Sequence, residues 1–200
     1  MPPPGGTAAE SCLTAEEFRR FQDGDHQAMS RVVALYRTRL IGFLSVMTRS
    51  LEMAEEASQD ALIDLYRKRG QIVAPEKIRP WLFTAGKLIA MKEMGRKRHQ
   101  LEKAVEEDVL AGLAPVLEAR QGSGLTSAQL SRALVVAIQQ LGPEDQELIT
   151  LRYFGELPIK EIAETLEMPM GSVGVKLSRA LDKLKRCFDQ MGLRMDDLLS

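Results

Sequence analysis

Residues 157–186 read LPIKEIAETLEMPMGSVGVKLSRALDKLKR, and their pattern decides how the rest of the chain is understood. Pro158 opens a short helix in which Ile159, Ile162, Ala163 and Leu166 share one face. Proline fits there because the first N–H groups of a helix have no acceptor within it. Ala163 is small, so a second helix can cross close to it. Glu167-Met168-Pro169 is a tight connector, and Met170-Gly171-Ser172 starts a longer helix with Val173, Leu177, Ala180, Leu181 and Leu184 turned inward. The outward face of that helix carries Ser172, Lys176, Arg179, Lys183 and Arg186, and residues 172–186 hold a local charge of +4. Phosphate binding and major-groove reading both require basic groups on one helix near its start. Ser172 and the backbone N–H groups around it can also hold a phosphate. Charge alone would equally suit a solvated amphipathic helix. The short first helix, Ala163, the proline turn and Val173 favour a helix-turn-helix that docks on DNA.

Just upstream, Gly142-Pro143-Glu144-Asp145 marks another helix start, with proline in its first position and acids suited to the positive end of the helix dipole. That helix carries Leu148, Leu151 and Arg152-Tyr153-Phe154, and Gly155 stops it. Leu130, Leu134, Ala137, Ile138 and Leu141 form the buried side of a helix that begins near Ser127. Between residues 100 and 126 the composition changes, through Glu106-Glu107-Asp108 and Pro115 to Gln121-Gly122-Ser123-Gly124. The glycine and serine read as a flexible linker. Val105, Leu110, Leu113 and Leu117 predict a short helix within it that rests on a neighbour.

The first half is helical as well. Ala28, Val32, Tyr36, Leu40, Phe43 and Met47 recur every three or four residues, which predicts an amphipathic helix over 25–47. Met53, Ala57, Ala61 and Leu65 predict a second over 52–69, with Gly70 as its stop. Residues 71–79, holding Pro75, read as a loop. A third helix begins near Pro80 and Trp81 and runs to the basic cluster Arg96-Lys97-Arg98. Trp81 heads an apolar stripe with Ala85 and Leu88 and reads as core. No stretch alternates with period two, so the class is all-α: two small helical domains joined by a flexible linker. The boundaries expected are a tail over 1–14, a domain over 15–99, the linker over 100–126, a domain over 127–191 and a tail over 192–200.

Bulk properties narrow the function. The 200 residues carry a net charge of only −1, so no global basic field announces a nucleic-acid partner and the distribution of charge matters more. Cys12 and Cys187 lie far apart, form no metal-ligand cluster and suit a reduced compartment. No apolar run approaches the roughly 18 residues needed to span a bilayer, and MPPPGGTAAESC lacks the make-up of a signal peptide. The expectation is a cytoplasmic protein without metal or cofactor. His26 and His99 have no ligand spacing, and there is no phosphate-binding glycine loop or nucleophile elbow, so nothing argues for an enzyme.

The runs GDHQAMSRVVALYRTRLIGFL, MAEEASQDALIDLY and IRPWLFTAGKLIAMKEMGRKRH, in that order, resemble region two of the extracytoplasmic-function sigma factors of bacterial RNA polymerase. LGPEDQELITLRYFGELPIKEIAETLEMPMGSVGVKLSRALDKL resembles their region four. The resemblance spans about 15–99 and 127–188. It implies that Glu55, Glu56, Gln59 and Asp60, a polar cluster at i, i+4 spacing on the second helix, bind the clamp-helix coiled coil of the polymerase large subunit. It implies that Arg79, Trp81, Lys87, Lys92, Arg96, Lys97 and Arg98 engage the opened minus-ten strand, where residues 81–100 hold a local charge of +4. The loop over 68–78 matches the loop that captures a flipped base. Ser172, Lys176, Arg179 and Lys183 would meet the double-stranded minus-thirty-five element. The implied partners are core RNA polymerase, promoter DNA and an anti-sigma factor, and the acidic linker would thread toward the active-centre channel.

Five positions depart from the family pattern: Leu88, Lys92, Glu167 in place of the usual turn glycine, and Gly174-Val175 in place of a Lys-Ser pair. Gly174 weakens its helix by about 1 kcal/mol relative to alanine. Two other readings stay open on the residues alone: a stand-alone helix-turn-helix regulator, and a protein that holds polymerase or an anti-sigma partner without initiating.

Overall fold

A computed structural model describes residues 12–96, 108–109, 111–113 and 127–191, with the backbone alone for 127–132. All regular structure among them is helical, in keeping with the all-α reading. In the first half α1 spans Ala15–Gln22, α2 His26–Thr48, α3 Leu51–Arg67 and α4 Ile78–Arg96. Each of the first three starts on a side-chain cap: Thr14, in a capping box with Glu17, then Asp25 and Ser50. These oxygens accept the N–H groups that an open helix end leaves without partners.

The helices meet on their predicted apolar faces. Ala28, Val32, Tyr36, Leu40 and Phe43 of α2 are buried, with Met47 partly so, and Met53, Ala57, Ala61 and Leu65 of α3 are buried beside them. The small alanines let α3 lie close to its neighbours. Gly86 does the same for α4, since a Cβ there would lie 3.1 Å from a Leu40 methyl.

Three local expectations are corrected. The end of α3 is Arg67, where the Lys68 N–H caps back to the Asp64 and Tyr66 carbonyls, and Gly70 lies beyond it in a 3-10 turn, Arg69–Gln71. The stretch expected as loop holds a second 3-10 turn, Pro75–Lys77, and α4 starts at Ile78, two residues before Pro80. Pro80 still falls in the first turn, where a missing N–H costs nothing. The buried face of α4 is Ile78, Leu82, Phe83, Gly86 and Ala90. Trp81 and Ala85 are only partly buried against the core, and Leu88 is 61% exposed, so their stripe is not the core face.

Within the stretch expected as linker, residues 108–109 and 111–113 are helical, with Val109 and Leu113 buried. Gly112 sits so close to α2 that a Cβ would fall 2.2 Å from Ser45 Oγ. Val105, Leu110 and Leu117 lie outside the described residues.

In the second half α5 spans Ser127–Gln139, α6 Pro143–Ile149, α7 Ile159–Thr165 and α8 Met170–Gln190. Pro143 stands at the first position of α6, as expected. That helix continues into a π turn, Thr150–Phe154, before Gly155. Leu134, Ala137, Ile138 and Leu141 are buried against Val173, Leu177, Ala180, Leu184 and Phe188 of α8, with Leu181 partly buried. The two halves also pack on each other: α2 meets α6 and the π turn, and α4 meets α7. One buried apolar cluster runs through both.

Candidate nucleic-acid interface

The turn between α7 and α8 is closed by the Met168 N–H, which donates to the Ala163 carbonyl at 2.9 Å. Glu167 takes a φ of 52° there, the left-handed region in which glycine is at home. The departure seen in sequence is therefore a backbone-level one. Pro169 precedes the first residue of α8, and the exposed face that follows carries Met170, Gly171, Val175, Ser178, Arg179, Asp182 and Arg186.

The four residues expected on the minus-thirty-five element do not share one environment. Arg179 is exposed and Ser172 partly buried. Lys176 pairs with Glu144, and Lys183 Nζ lies 2.5 Å from Asp145 Oδ2. These two lysines sit on the flank that α8 turns toward the start of α6. The acids were legible as first-turn residues, but pairing across more than thirty positions has no signal in a single sequence.

The cations expected on the minus-ten strand divide further. Arg79 is clasped by Glu161 through two hydrogen bonds, Nε to Oε2 at 2.7 Å and Nη2 to Oε1 at 3.0 Å. Its Nη1 donates to the Glu156 carbonyl at 3.2 Å. Burial opposes the charge of Arg79, but the bonds and charge of Glu161 outweigh it and hold the guanidinium pKa above its ordinary value. Lys87 Nζ lies 2.7 Å from Glu147 Oε1. Both cations thus face the second half of the molecule. Further along α4, Lys92 and Arg96 are exposed, with Arg96 bonded to Glu93 at 2.9 Å. Lys97 and Arg98 lie outside the described residues. Trp81 lines an open groove with Lys68, Lys77, Pro80, Leu88 and Glu164, and Lys68 Nζ stands 5.8 Å from its ring centre. A cation over an indole face is attracted by the ring's quadrupole.

On α3, Glu55, Glu56, Gln59 and Asp60 are all exposed, while Ala54, Ala57, Ser58 and Ala61 turn inward. The acidic cluster is thus a continuous solvent-facing patch. Behind the Arg79 pair, burial pushes the phenol of Tyr36 and the thiol of Cys12 above their ordinary pKa values. Both groups are therefore neutral at physiological pH. Among the described residues no group of three or more His, Cys, Asp or Glu could hold a metal, and no helix is long and apolar enough to cross a membrane.

Residues 131–184 match the family model described as Sigma-70, region 4. That match takes in the helix-turn-helix of α7 and α8 and the helices that support it. Similarity runs well beyond it. The chain is 27% identical over 178 residues to the RNA polymerase sigma factor CarQ of Myxococcus xanthus, a match covering 89% of this chain and 99% of that protein. It is 22% identical to the extracytoplasmic-function sigma factor SigW of Bacillus subtilis, covering 87% and 96%. Its fold matches that of the sigma factor RpoE, solved with the anti-sigma factor NepR from Bartonella quintana, at a TM-score of 0.59 and 18% identity over 80% of this chain and 96% of that one. Over most of its length the chain is therefore similar to extracytoplasmic-function sigma factors.

Proposed function

We propose that this chain binds core RNA polymerase and directs it to promoters, where it recognises the minus-thirty-five duplex and helps open the minus-ten element. The observation that carries this reading is similarity over both halves at once, since the match to CarQ covers nearly all of both proteins. A stand-alone helix-turn-helix regulator would share only the second half.

In this reading Glu55, Glu56, Gln59 and Asp60 meet the polymerase. Their exposure on one face of α3 supports the role, because an acidic patch suits a partner surface of opposite charge. Arg179 and Ser172 head the duplex contact, with Lys176 and Lys183 joining once DNA phosphates displace Glu144 and Asp145. Lys92, Arg96 and the groove at Trp81 take the opened strand, where an indole and a row of cations can stack bases and hold phosphates. The cytoplasm is the compartment in which such a protein works. Because the solved RpoE is held by an anti-sigma factor, a protein of that kind is a candidate partner here.

Run-off transcription with purified core polymerase across a genomic library tests the reading. Promoter-dependent transcripts are expected, and their absence would sink the initiation role. Glu56→Lys with Asp60→Lys should weaken capture of core polymerase, and undiminished capture would remove the clamp assignment.

A further inference from the structure

Among the described residues four ion pairs join the two halves, and all run in the same direction. The cations belong to the first half and the carboxylates to the second: Arg39 with Glu156 at 2.8 Å, Lys77 with Glu164 at 2.8 Å, Arg79 with Glu161 at 2.7 Å and Lys87 with Glu147 at 2.7 Å. Among the described residues no pair between the halves runs the other way. The Arg79–Glu161 pair is bidentate, and its side chains are only 13% and 14% exposed. Glu156 engages two cations, its carboxylate holding Arg39 and its carbonyl accepting from Arg79. It does so from a left-handed backbone, at a φ of 54°. Next to it, Gly155 lies against the ring of Phe83, where a Cβ would come within 2.9 Å of Cε1. Glu164 forms part of the wall of the groove beside Trp81.

A row of carboxylates facing a row of cations presents what a nucleic-acid backbone presents: spaced anionic oxygens for Lys and Arg. Arg79 and Lys87 are two of the cations expected to meet the opened strand, and the groove at Trp81 is closed on one side by Glu164.

We propose that Glu147, Glu156, Glu161 and Glu164 form an internal competitor for single-stranded nucleic acid, an acidic clasp that shuts the second half over the strand-binding face of the first. DNA phosphates and the clasp acids compete for the same cations, so the free chain binds a single strand weakly until the halves part. The identity of the strand-binding face rests on the proposed function, but the clasp itself does not.

The test uses the full chain with Glu147→Gln, Glu156→Gln, Glu161→Gln and Glu164→Gln, which remove charge while keeping shape. Small-angle scattering should show a larger radius of gyration at unchanged helix content. Affinity for a labelled single-stranded DNA oligonucleotide should rise about tenfold if the closed form outnumbers the open one about ten to one. Unchanged compactness or unchanged affinity overturns the proposal. Should the fourfold variant not fold, Glu161→Gln alone carries the same readouts with a smaller rise expected. Arg79→Glu and Glu161→Arg should each open the chain, and combining them should close it again. A double variant no more compact than either single one also overturns the proposal. Failure of the initiation reading would appear separately, as missing transcripts with core polymerase, and would leave the scattering result standing.

Discussion

Glu167 occupies the left-handed region in the turn of the helix-turn-helix, where a Cβ is crowded by the following carbonyl. That crowding costs about 1–2 kcal/mol for a non-glycine residue. Glu167→Gly should therefore raise the stability of the second half by about 1 kcal/mol, part of the gain being offset by glycine's freedom in the unfolded chain. Thermal unfolding followed by circular dichroism checks the sign. A lower melting temperature would mean that the glutamate side chain makes a compensating contact. At the other end of the molecule, Glu17 has a carboxyl pKa below its ordinary value, chiefly because it accepts the Thr14 backbone N–H, and Asp25 because it accepts that of Ala28. A carboxylate with a lowered folded pKa contributes stability that is fully present above its unfolded pKa and is lost as the pH falls through the folded one. The starts of α1 and α2 should thus fray below about pH 4. Amide hydrogen exchange at Glu17 and Ala28 should then speed up ahead of the buried amides, and equal protection at all sites would refute the idea.

Helix α8 carries its cations in two settings, and under the proposed function the difference sets an order among its variants. Arg179 is exposed and needs no partner released before it meets DNA, whereas Lys176 and Lys183 must first leave Glu144 and Asp145. Arg179→Ala should cost about 1–3 kcal/mol of minus-thirty-five affinity if the guanidinium reads a base, and Lys176→Ala should cost less. Glu144→Ala should strengthen duplex binding and steepen its salt dependence, because one more cation becomes available to phosphate. Fluorescence anisotropy of the holoenzyme on a duplex carrying a minus-thirty-five element recovered from the run-off library separates these outcomes. Equal losses for Arg179→Ala and Lys176→Ala would mean that α6 does not restrain Lys176.

Phe83 connects the scales of helix and molecule. Its ring is fully buried, stands 5.5 Å from that of Phe43 and meets Gly155 from the second half. Phe83→Ala should cost about 3–5 kcal/mol, and the loss should fall on both halves because they share one buried cluster. Calorimetry is expected to show one shifted transition at low salt. A lowered transition for the first half alone would mean that the halves do not unfold together.

Most of the helices and most of their buried faces were legible in the sequence, because periodicity and caps act over a few residues, but α1 was not anticipated and α4 starts two residues before its proline. Ala28 to Phe43 and Met53 to Leu65 are buried as their spacing predicts. The turn of the helix-turn-helix was legible for the same reason, down to the odd glutamate within it. Errors arose where local signals were weak: Gly70 resembles a stop, yet α3 ends at Arg67 with Lys68 as its cap, and Leu88 looks apolar enough for the core yet faces outward. What only the tertiary structure decided is which cation meets which acid. Arg79 and Glu161 are separated by 82 residues and Lys176 and Glu144 by 32. Charged side chains obey no periodicity that names a distant partner, so their pairing emerges only when packing brings two surfaces together.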